Sequence, residues 1–66
     1  MFKNYRLKAG MTQERLADVL DISWRQLQRI ESGRSLPSLA TLRKMIIVLN
    51  ITPEDVVKFI KDAYKN

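Results

Sequence analysis

Apolar residues recur along this chain at intervals of three and four, in short blocks separated by glycine, proline or a hydroxyl residue. That period belongs to helices with one buried face, and no stretch alternates apolar and polar residues long enough to predict a strand. The first block predicts a helix over Phe2–Ala9, closed by Gly10 as a left-handed cap. Thr12 then caps a second helix in which Leu16, Ala17 and Leu20 share a face, with Met11 and Leu16 spaced as a hydrophobic staple. Asp21 and Ile22 form a turn. Ser23 opens a third helix and Gln26, three residues on, completes an S-x-x-Q capping box. Leu27 and Ile30 face inward in that helix, and Gly33 ends it. The segment RSLPS crosses to a fourth helix capped by Ser38, with Leu39, Leu42, Met45, Ile46 and Leu49 as its apolar positions, of which Leu39, Leu42, Ile46 and Leu49 can serve the core. At 52–55, TPED combines an N-cap threonine, proline at the first helical position and carboxylates against the positive helix end. It starts a fifth helix running to Ala63. The prediction is an all-α fold of five short helices.

The second and third helices are joined by a tight turn, and small Ala17 stands where they cross. A larger side chain there pushes the two helices apart, while Leu20, Ile22 and Leu27 fill the angle between them. This is the pattern of a helix-turn-helix. Charge then changes the picture of its second half. The chain carries a net charge of +5, and between Ser23 and Arg34 three arginines, Arg25, Arg29 and Arg34, are opposed only by Glu31. A basic helix face of this kind suits a polyanion.

Other chemistries are excluded by what is missing. The chain has no cysteine and no histidine, hence no disulfide, no zinc–thiolate site, no thiol nucleophile and no imidazole base. Glu14 and Asp18 lie four apart but have no catalytic companion, so they read as a solvated helix face. We expect no enzymatic activity, no cofactor and no metal. The start, MFKNYRLKAG, lacks the apolar run of a signal peptide, and MIIVL at 45–49 is far too short to cross a bilayer. A cytoplasmic protein forming one domain over 1–66 is expected; at this length only about 60% of the unfolded surface can be buried, so the core has to be small and well packed.

The words MTQERLA at 11–17, DISWRQLQRIESGRSLPS at 21–38, LATLRKM at 39–45 and LNITPED at 49–55 stand in a gapless register. Over residues 5–57 the chain resembles the phage repressor and Cro family, the XRE-type helix-turn-helix transcriptional regulators. The resemblance implies a lambda-repressor-like packing of five helices with the third in the DNA major groove. It also implies regulation of transcription, with repression the commoner form, by homodimers on palindromic double-stranded operators. Position by position, it implies base reading by Ser23, Trp24, Arg25, Gln28 and Arg29. Thr12 and Gln13 at the start of the second helix, Arg34 after the Gly33 cap, and Arg6 fall where backbone phosphate is met. Arg6 and Glu31 match a pair tying the first helix to the end of the third; partial exposure limits that pair to at most about 1 kcal/mol.

Three positions depart from the family pattern. Asp21 replaces the frequent turn glycine, and aspartate tolerates the left-handed region. Ser32 replaces a frequent asparagine. Trp24 stands where glutamine often reads adenine while bonding to the glutamine that opens the second helix, so that Gln–Gln partnership with Gln13 is lost. Register places Trp24 away from the Leu27–Ile30 face, and we expect its ring to meet a thymine methyl or the sugar-phosphate wall, the plainer alternative being local shielding of the second helix. Ile47 and Phe59, apolar beyond what the core needs, are expected to form a homodimer seam. With no sensor domain in view, control is expected from concentration, dimerisation or a protein antagonist. A pure protein-interaction module is the rival reading, favoured by the apolar later helices and opposed by the basic third helix.

Overall fold

The computed structural model describes residues 1–64. Its elements are α1 (Phe2–Lys8), α2 (Gln13–Leu20), α3 (Trp24–Glu31), α4 (Leu39–Leu49) and α5 (Pro53–Ala63). The predicted all-α, five-helix order is therefore present, and the described residues contain no strand. Local chemistry sets most boundaries. Thr12, Ser23, Ser38 and Thr52 all sit in extended backbone and each accepts a hydrogen bond from the amide three residues on, satisfying one of the unpaired donors of its helix. At Ser23 the serine half of the capping box forms, with Gln26 N donating to Oγ at 3.1 Å.

Two helices end on left-handed residues that are not glycine. Asp21 closes α2 at φ 57°, as the turn required, and its amide donates back to Asp18 O. Asn50 does the same for α4 at φ 54°. Both residue types tolerate this region because a short polar side chain adds little steric conflict.

The core is built where these helices converge. Leu16, Leu20, Leu27 and Met45 are fully enclosed, with Phe2, Ala17, Ile30, Leu42, Leu49 and Ile51 around them. The tightest helix pairing is α2 on α3, which Ala17 makes possible by presenting only a methyl group at the crossing. Ile22 and Met11 pack on this core from the turns at either end of α2. Among the described residues α5 has none that is fully buried. It is held by its half-buried face, by an edge contact between Phe59 and Phe2 with ring centroids 4.8 Å apart, and by polar ties at both ends. The Tyr5 hydroxyl donates to Asp55 Oδ2 near its start, and the Tyr64 hydroxyl donates to Pro37 O at 3.1 Å near its end.

One apolar expectation needs correction. Leu39 is 82% exposed and is not part of the core. The buried face of α4 is set by Thr41, Leu42, Met45 and Leu49, and Leu39 lies about 100° round the helix from its centre. Thr41 occupies the inward place instead, its hydroxyl accepting from Ser38 Oγ at 3.1 Å. Phe59 is half-buried between Phe2 and Tyr64 and takes part in the packing of α5 on α1. Ile47, by contrast, is 64% exposed.

These phases predict a contrast between two leucines. Leu27→Ala leaves a cavity at the centre and should cost about 2–5 kcal/mol, whereas Leu39→Ala should stay within about 0.5 kcal/mol. Urea unfolding of both variants checks this; equal losses would mean that α4 is rotated from the orientation described.

Candidate nucleic-acid interface

The site begins with a buried ion pair. Arg6 on α1 donates from Nε to Glu31 Oε2 at 2.8 Å and from Nη2 to Glu31 Oε1 at 3.2 Å. A further bond runs from Nη1 to the carbonyl of Met11 at 2.9 Å. The two side chains are only 8% and 4% exposed. The expected partial exposure is thus corrected, and with it the modest value that exposure implied. Arg6 is also withdrawn from the phosphate contacts. Its guanidinium is enclosed and closed by three hydrogen bonds, so its role is to hold α1, the α1–α2 loop and the end of α3 together.

Gln13 continues this chain. Its Nε2 donates to Glu31 Oε1 at 3.0 Å, and its Oε1 accepts from Trp24 Nε1 at 3.0 Å. The carboxylate can only accept and the indole can only donate, so the amide has one admissible orientation. The lost Gln–Gln partnership is therefore replaced in kind. The indole N–H of Trp24 bonds to the same side chain, joining the first residue of α3 to the first residue of α2. Sequence reading missed this bond. The signal was available in the pairing of positions 13 and 24 and in the single donor that tryptophan offers, although the geometry was not.

Around this fixed corner the outer face stays open. Ser23, Trp24, Arg25, Gln28 and Arg29 are all exposed, with Trp24 at 51%. Thr12 and Arg34 are exposed and Gln13 is half-buried. Arg25, Gln28, Arg29, Ser32 and Arg34 line one shallow depression. Ser32, not anticipated as part of this face, enters it because the α3 end folds back on Arg29. The Arg29 carbonyl accepts from Ser32 Oγ at 3.2 Å, from Arg34 N at 2.9 Å and from Ser35 N at 3.2 Å. Gly33, at φ +80°, allows this reversal.

The electrostatic outcome differs from a count along the sequence. Glu31, the one acid in the basic stretch, is turned inward onto Arg6. Among the described residues no carboxylate forms an ion pair with Arg25, Arg29 or Arg34. Three guanidiniums therefore share an open concavity with no internal counter-charge.

A family model described as helix-turn-helix matches residues 2–56, from the start of α1 into the first turn of α5. The chain belongs to the XRE-type helix-turn-helix family. No curated protein and no solved structure matches it. As a member of the XRE-type helix-turn-helix family it is a DNA-binding transcription regulator, and the family is generally non-enzymatic. In this XRE-type chain no described helix is long and apolar enough to cross a membrane.

The ion pair gives a stability prediction. Glu31→Ala leaves a buried guanidinium without its counter-charge and also takes a partner from Gln13, at a cost of about 3–5 kcal/mol. A domain this small has roughly 3–10 kcal/mol in total, so the variant should be largely unfolded or close to it. Arg6→Met with Glu31→Leu should recover most of the loss, because two apolar side chains need no pairing. Chemical denaturation of the single and double variants measures both terms, and a near-neutral Glu31→Ala would contradict the burial described.

Proposed function

We propose that the chain is a sequence-specific regulator that lays α3 in the major groove of duplex DNA and acts chiefly by repression. The observation that carries this is the open face formed by α3 and the turn after it, where Arg25, Arg29 and Arg34 meet no carboxylate while the opposite face of α3 is locked into the core. Arg25 and Arg29 are one turn apart and project together. A guanidinium fork matches the O6 and N7 acceptors of guanine, and Gln28 matches adenine. Ser23 and Trp24 stand at the leading end of α3, where recognition helices approach bases most closely. Thr12, Gln13 and the free amides at the start of α2 meet phosphate, as does Arg34; such contacts fix register and carry no sequence information.

Two copies on a palindrome need half-site centres about 34 Å apart. Exposed apolar groups supply a seam: Ile47 on α4, and Val57, Ile60 and Tyr64 along the outer stripe of α5. Ile60 and Tyr64 also border an apolar groove with Leu39 and Leu42. Phe59 acts from behind by holding α5 in place. The same apolar surface favours a protein antagonist as a second partner, competing with dimerisation. One domain over 1–66, working in the cytoplasm without cofactor or metal, fits this reading.

Selection of bound sequences from random duplex DNA tests the proposal. One enriched site should emerge, with affinity falling steeply as salt rises through counterion release. Arg25→Ala and Arg29→Ala should each lower specific affinity by about 1–3 kcal/mol and relax preference at one base pair. Failure to enrich any site at low salt, with both variants indistinguishable from the parent, would overturn it.

A further inference from the structure

We infer that Trp24 reads the C5-methyl group of a pyrimidine in the major groove, which makes the protein sensitive to base methylation at one step of its site. The inference rests on the proposed placement of α3 and concerns what its first residue recognises there. Indole has one hydrogen-bond donor and no acceptor. That donor is committed to Gln13 Oε1 at 3.0 Å. Gln13 is in turn fixed by Glu31 at 3.0 Å, and Glu31 by the buried Arg6. The ring therefore has a set orientation and nothing polar left to offer a base, yet 51% of the residue remains exposed.

With its one donor engaged by Gln13, the ring offers a base only apolar surface, and the edges of the major groove present a single apolar group, the C5-methyl of thymine. Cytosine offers C5–H and an amino donor in the same region, and the ring provides no acceptor for that donor. Pressing cytosine against it strips water from the amino group without replacing the bond. The recognised chemistry is thus a 5-methylpyrimidine. Thymine supplies it in ordinary DNA, and 5-methylcytosine supplies the same methyl beside the unfavourable amino group. Arg25, next in sequence and exposed, reads the neighbouring step, so the methyl contact and the guanine contact are adjacent.

The experiment uses the full chain and the duplex enriched by selection. Each thymine is replaced in turn by uracil, which removes one methyl group and nothing else. One thymine per half-site should show a loss of about three- to fivefold in affinity, the value of one buried methyl. At that step, 5-methylcytosine should bind better than cytosine by a similar factor. In Trp24→Ala the uracil penalty should disappear, while Trp24→Phe, which keeps an apolar ring, should retain part of it. A uracil scan without any sensitive position, or a penalty unchanged in Trp24→Ala, overturns the inference; the first result needs no variant to fold. Those outcomes assign the ring to the sugar-phosphate wall or to shielding of Gln13 and leave the DNA-binding reading intact. No enriched duplex at all counts against that reading itself, and with it this one.

Discussion

The Arg6–Glu31 pair is the constraint on which the rest of this small protein depends. Taking both charges out of water costs several kcal/mol per ion, and the cost is offset only when geometry and hydrogen bonding are good. Both conditions hold here. The guanidinium meets two carboxylate oxygens and a main-chain carbonyl, and the carboxylate also accepts from Gln13. Among the described residues no buried side-chain polar atom lacks a partner. The apolar core of Leu16, Leu20, Leu27 and Met45 supplies cohesion, but cohesion alone does not fix angles between short helices. The pair does so by tying α1, the loop before α2 and the last residue of α3 to one point.

The same pair shapes the surface that it does not touch. By drawing Glu31 inward, it removes the only carboxylate of the third-helix region from the outer face, and the three arginines there remain uncompensated. Through Gln13 it also reaches Trp24, so the entry to α3 is fixed along with its exit. Side chains meant to meet a rigid partner gain from being held in place before contact, because less freedom is lost on binding. On the proposed reading the interface is prepared from inside: a buried charge pair sets the helix, and the free charges stand outside.

Much of this was legible in the sequence because it is local. Four N-caps, the proline of α5 and the left-handed Asp21 follow from chemistry within a few residues, and their placement required no knowledge of packing. The spacing around Ala17 pointed to the helix-turn-helix, and the resemblance supplied the Arg6–Glu31 pairing, although not the pair's burial, which depends on neighbours far along the chain. Leu39 was misassigned because helical period gives a face only to within about one residue, and docking of the α4 core face chose Thr41 over it. The packing of Phe59 was not legible because its partner, Phe2, lies at the other end of the sequence. The Trp24–Gln13 bond was invisible for the same reason: it spans two helices whose separation only the fold determines.

On the proposed reading a locked inner face presents α3 to the bases. A structure of the protein on its selected duplex tests it most directly. In that complex α3 should lie in the major groove, with Arg25 and Arg29 within hydrogen-bond distance of base edges and Arg6 still closed on Glu31. A complex in which α3 faces solvent, or in which Arg6 leaves Glu31 to bind phosphate, would contradict it.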